Sequence, residues 1–120
     1  MQLPAFLSPG LAFVDIETTG GPAQRASITE IAVLQVDGSG VRTWSTLVRP
    51  ESRIPAHIER LTGISNDMVA GAPRFEEIAG DLFDQLDGRL FACRPGLTPG
   101  PWASVKAISC MSWITGAITV

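Results

Sequence analysis

Asp15 and Glu17 are the residues of this sequence best placed to do chemistry. They stand in Phe13-Val14-Asp15-Ile16-Glu17-Thr18-Thr19-Gly20, behind the apolar, β-prone run Leu11-Ala12-Phe13-Val14. Such a lead-in predicts a strand in the middle of a sheet. Side chains alternate faces along a strand, so Asp15 and Glu17 share one face while Val14 and Ile16 take the other. Two carboxylates about 6 to 7 Å apart on a central strand repel each other and lose hydration, and a cation relieves both. Hard divalent ions such as Mg²⁺ take carboxylate oxygens, and a pair of them about 4 Å apart is a common phosphodiester-cleaving centre. Thr18-Thr19-Gly20-Gly21-Pro22 ends the strand in a turn, leaving both acids near its C-terminal mouth. The spacing alone is undemanding, since most Asp-x-Glu pairs on strands lie on a solvated face.

The elements that must hold this pair follow in order. Ile28 to Val36 is β-branched and reads as a second strand, Asp37-Gly38-Ser39-Gly40 as a hairpin turn, and Val41 to Val48 as the return strand. On that strand Val41, Thr43, Ser45 and Leu47 share one face, and Arg42, Trp44, Thr46 and Val48 the other. Glu30 reads as a surface or strand-end carboxylate paired with Arg25 or another base. Arg49 to Pro55 is a loop with two prolines, and a short helix begins at Pro55 and stops at Gly63. His57, the sole histidine, reads as a helix-surface residue and not as a general base. Ser65 to Ala70 forms another helical turn, closed by Gly71. From Pro73 the spacing of Phe75, Ile78, Ala79, Leu82, Phe83 and Leu86 predicts one apolar helical stripe facing the core. Glu76 and Glu77 suit its first turn, Gly88 stops it, and Arg89-Leu90-Phe91-Ala92 opens a further strand.

The string Phe-Val-Asp-Ile-Glu-Thr-Thr-Gly resembles the first motif of the DEDD 3′-to-5′ exonucleases, a family that includes the proofreading (epsilon) subunit of bacterial DNA polymerase III. The resemblance implies an α/β ribonuclease H-like fold that opens with a three-stranded antiparallel meander. It implies hydrolysis of nucleotides from a DNA or RNA 3′ end with two Mg²⁺ or Mn²⁺ ions, in replication or repair. Asp15 would bridge both ions and Glu17 would hold the one carrying the nucleophilic water. Ile16, Thr18 and Thr19 would line the terminal nucleotide, with Leu61, Thr62 and Gly63 as further substrate contacts.

The resemblance covers roughly residues 10 to 92 and then breaks. The family places an Asn-x-x-x-Asp segment after the next strand, and later a Tyr or His followed by a final Asp. This sequence continues Cys93-Arg94-Pro95-Gly96-Leu97-Thr98-Pro99-Gly100, with no Asp or Glu after Asp87 and no Tyr anywhere. Residues 1–92 are therefore read as the N-terminal part of an exonuclease domain, and 93–120 as a divergent, disordered or loosely packed tail. Its uncharged stretch from Ala107 to Val120 is shorter than the roughly 20 residues that cross a bilayer. Trp102, Trp113, Ile108, Ile114 and Ile118 could cover core left open, or form an exposed sticky end.

A length of 120 residues suits one small domain, and a net charge of −3 excludes a general nucleic-acid coat. Cys93 and Cys110 show neither metal-ligand spacing nor a disulfide framework, and Met1 to Gly10 lacks a secretory pattern, so the cytoplasm is expected. The composite expectation is a truncated, weakly active or inactive exonuclease. The alternative is a non-catalytic fragment that binds nucleic acid or a polymerase.

Overall fold

A computed structural model describes residues 10–22 and 24–93, with backbone alone for 91–93. In order the chain forms β1 (Leu11–Thr18), β2 (Ile28–Asp37), β3 (Gly40–Leu47), α1 (Ala56–Thr62), α2 (Asn66–Ala70), α3 (Phe75–Leu86) and β4 (Leu90–Cys93). The strands make one sheet in the order β3-β2-β1-β4. β1 pairs antiparallel with β2 and parallel with β4, and β2 pairs antiparallel with β3. The meander read from the sequence is present, and β4 completes the sheet on the far side of β1. A parallel neighbour requires a crossover, which the helical segment between β3 and β4 supplies.

The β2–β3 turn is tied by Asp37, whose Oδ1 accepts from the Ser39 N–H (2.8 Å) and Ser39 Oγ (2.6 Å). Arg42 closes on the other carboxylate oxygen at 3.2 Å. The Ser39 hydrogen bonds, assisted by the Arg42 charge, hold the Asp37 carboxyl below its ordinary value.

One face of the sheet carries the core. Ala12, Val14 and Ile16 of β1 and Ile31 and Val33 of β2 pack there under Ile78 and Leu82 of α3, with Trp44, Phe75 and Leu86 around them. Gln35 is buried on this face and satisfied, its Nε2 donating to the Gln85 backbone oxygen and to Gln85 Oε1, both at 2.9 Å. The α3 stripe is narrower than its sequence suggests. Phe83 is 44% exposed whereas Leu82 is 2% exposed. Successive helical residues turn by about 100°, which puts Phe83 on the shoulder of the stripe, and the sheet covers the opposite shoulder, at Ile78.

A second cluster of Ile54, Ile64 and Val69 holds α1 and α2 together. Asn66 is its polar clamp: its Oδ1 accepts from the Ile54 N–H (2.8 Å), and its Nδ2 donates to the Ile54 carbonyl (2.9 Å) and to Glu59 Oε1 (2.6 Å). Pro55, read as the first helical residue, is instead the extended N-cap of α1 (φ −62°, ψ 147°), with Gly63 as the left-handed C-cap. The proposed boundary at residue 92 falls inside β4. The tail from residue 94 onward, with Trp102, Trp113 and the isoleucines considered as core cover, lies outside the described residues. No helix among the described residues is long and apolar enough to cross a membrane.

Candidate active site

β1 places Asp15 and Glu17 on the face opposite the core, because Val14 and Ile16 on either side are drawn under α3 (1% and 9% exposed). Asp15 is exposed and Glu17 half-buried. The register with β4 runs from Leu11↔Leu90 to Val14↔Cys93, so both acids lie just past the last β1–β4 pair among the described residues. They stand near the carboxyl end of β1, which has a parallel neighbour on one side and an antiparallel one on the other. Open α/β sheets bind ligands in such a crevice.

Across on β2, Asp15 faces Ala32 and Glu17 faces Glu30. Glu30 therefore stands beside the catalytic candidates and makes no ion pair with Arg25 among the described residues, contrary to the sequence reading. The unbroken register from Leu11↔Val36 to Glu17↔Glu30 sets this alignment, and the one register shift falls just beyond it, between Glu17 and Thr18. Small Ala32 beside Asp15 opens a shallow hollow lined by Phe13, Leu34, Thr43 and Ser45, with Phe13 and Leu34 each 37% exposed. The alternation Phe13-x-Asp15 and Ala32-x-Leu34 was the available signal for it.

The other sequence-derived site residues divide by what their side chains already do. Ile16 is in the core, leaving only its backbone to meet a ligand. Thr18 Oγ1 accepts from the Gly20 N–H (3.1 Å), and buried Thr19 Oγ1 accepts from the Ser27 N–H (3.0 Å). These bonds shape the turn that follows the acids. Gly20 adopts φ +81°, and a Cβ there would lie 2.7 Å from Ile58 Cδ1, so α1 docks directly on that turn. On α1, Leu61 is 78% exposed. Thr62 Oγ1 donates to the Ile58 carbonyl (2.9 Å) and accepts from the Ile64 N–H (3.2 Å), while the Gly63 N–H donates to the Glu59 carbonyl (2.9 Å). His57 lies exposed on the same helix.

The oxygen-only donor set of Asp15 and Glu17 fits a hard divalent cation. Among the described residues no group of three His, Cys, Asp or Glu side chains is arranged to hold a metal ion. The positions where the family's third and fourth acids would fall lie outside those residues.

Residues 12–94 match the exonuclease family model of the RNase T type. The 3′-5′ exonuclease DinG of Bacillus subtilis (strain 168) is 41% identical over 80 residues, covering 65% of this chain and 9% of that protein. The DNA polymerase III subunit epsilon of Aquifex aeolicus is 37% identical over 73 residues, covering 59% of this chain and 36% of that one. Exonuclease X, solved in complex with 5′ overhanging duplex DNA, superposes with a TM-score of 0.53 at 30% identity, over 60% of this chain and 42% of its own. The nuclease domain of 3′hExo, a DEDDh family member bound to rAMP, gives 0.65 at 20% identity over 95% and 62%, a likeness of fold. This chain thus spans only a small part of the DinG protein and about a third of the epsilon subunit. With Asp15 and Glu17 on the open face of a ribonuclease H-like sheet and the match running from Ala12 to Arg94, the chain belongs to the exonuclease (RNase T) family.

Proposed function

We propose that this chain carries the first half of a metal-dependent 3′-to-5′ exonuclease centre, acting on phosphodiester bonds at a DNA or RNA 3′ end. The observation that carries the reading is the pair Asp15 and Glu17 on the open face of β1, near its C-terminal end and inside the family-matched segment. Asp15 and Glu17 would hold Mg²⁺ or Mn²⁺, which when bound activates water and stabilises the developing negative charge. The backbone of Ile16, Thr18 and Thr19 borders the terminal nucleotide, and α1, seated on Gly20 through Ile58, presents Leu61, Thr62 and Gly63 to it. The relation to a DNA polymerase III subunit supports a replication or repair role with a polymerase as partner.

Two carboxylates without a third or a poised base support little turnover. The isolated chain is therefore expected to trim 3′-labelled single-stranded DNA slowly or not at all with Mn²⁺. Inserting an Asn-x-x-x-Asp segment after Ala92 and a late His-x-x-x-x-Asp should bring back Mn²⁺-dependent trimming that Asp15→Ala abolishes. Trimming by the extended chain that is insensitive to Asp15→Ala would overturn the reading. Fast trimming by the unmodified chain, lost in Asp15→Ala, would instead place the remaining groups elsewhere, with Glu30 and His57 the first to test.

A further inference from the structure

Arg25, Arg49 and Arg74 come from three separate segments and converge on one cleft at the end of the sheet. The fold brings them there by main-chain bonds. The Val48 N–H donates to the Thr29 carbonyl (2.8 Å), and the Arg49 N–H donates to the Pro73 carbonyl (2.8 Å), tying the end of β3 to the start of α3. None of the three arginines makes an ion pair among the described residues, whereas Arg42 elsewhere does. Glu51 and Glu76 also line the cleft, so three exposed arginines outnumber two exposed glutamates there in a chain whose net charge is −3. Its floor includes buried Ile28 and Val48, a low-dielectric wall that focuses the field of the charges above it. At about 180 Å³ it is below the roughly 300 to 1,000 Å³ of pockets that enclose a drug-sized ligand, and it suits a small anionic group such as a phosphate.

The cleft lies next to the candidate active site around the end of β1. Ser27, which lines it, accepts from the Thr19 N–H (2.9 Å) and donates its own N–H to Thr19 Oγ1 (3.0 Å), and Thr19 is two residues from Glu17. We propose that this cleft binds backbone phosphates of the nucleic-acid strand whose 3′ end reaches Asp15 and Glu17. The assignment rests on the exonuclease reading. Arginine's planar fork matches phosphate oxygens in pairs, and three forks on an open rim suit successive phosphates better than one enclosed anion.

The test is fluorescence anisotropy of the full chain with a 5′-labelled oligothymidylate, in EDTA so that no metal contributes. Arg25→Ala/Arg49→Ala should bind about tenfold more weakly and lower the slope of log affinity against log salt by about 1.4, two contacts at about 0.7 each. The charge-matched Arg42→Ala/Arg53→Ala should change affinity by less than about twofold. Arg25→Lys/Arg49→Lys should retain most of the binding, and a lysine pair as weak as the alanine pair would overturn the proposal as a structural effect. Equal losses in both alanine pairs, or no measurable binding by the parent chain, would also overturn it. So would displacement of the strand by polyglutamate or by millimolar inorganic phosphate. None of these readouts involves Asp15 or a metal, so failure of the cleft is separable from failure of the catalytic reading, which shows in trimming by Asp15→Ala.

Discussion

Glu17 on β1 and Glu30 on β2 are direct cross-strand partners, two carboxylate-bearing residues paired on the open face of the sheet. Like charges directly opposite each other destabilise a sheet, by an amount in the range of about 0.2 to 1 kcal/mol. Glu30→Gln should therefore raise the denaturation midpoint of the metal-free chain and reduce the additional stabilisation that Mn²⁺ confers. Thermal melts with EDTA and with Mn²⁺ check both halves. A lower midpoint in EDTA would show that the Glu30 carboxylate is held by attraction.

Asp15 is exposed and belongs to no core contact, so its loss should leave the fold intact. Calorimetry should find weak Mg²⁺ or Mn²⁺ binding to the chain and none to Asp15→Ala, with unchanged circular dichroism. Equal binding by the variant would remove the β1 acids from consideration.

Leu82 and Phe83 are neighbours in α3 with opposite surroundings. Leu82→Ala should cost about 2 to 5 kcal/mol, because it empties a filled core position. Phe83→Ala should cost less than about 1 kcal/mol, as a partly exposed residue does. Urea unfolding of the two variants decides it, and a reversed order would mean that α3 is rotated on the sheet.

Asn66→Ala removes the acceptor for the Ile54 N–H, and Ile54 is 2% exposed. A buried donor left without a partner costs about 1 to 3 kcal/mol. Hydrogen exchange at Ile54 and its neighbours should accelerate more than exchange in β1 and β2. Uniform acceleration would mean that the α1–α2 unit does not open separately.

Asp37 supplies a pH dependence of known sign. Its folded-state value lies below the ordinary one because Ser39 donates to the carboxylate and Arg42 is near. The stabilisation is present above the unfolded value of about 3.9 and is lost as pH falls through the lowered folded value. The side chain is half-buried at a solvated hairpin, so solvent screens the effect and keeps it small and confined to the hairpin. Asp37→Asn should flatten the acid limb of stability measured between about pH 5 and 2, and an unchanged limb would count against it.

Alternation along Leu11 to Glu17 is local, so the sequence by itself placed Asp15 and Glu17 on one face and Val14 and Ile16 on the other. The same holds for the Asp37 to Gly40 turn, for the Gly63 stop of α1 and for the 3.6-residue stripe of α3, each set by residues within a few positions of one another. Only the tertiary structure decided what depends on partners far along the chain. Register set Glu30 against Glu17. The crossover brought β4 to the free side of β1 in parallel register, with Leu90 beside Leu11. The rotation of α3 on the sheet buried Ile78 and left Phe83 to solvent. Arg25, Arg49 and Arg74 share one cleft because three loops meet where β2 begins and β3 ends. Their spacing in sequence has no period that a helix or strand would repeat, so nothing local marks them as neighbours.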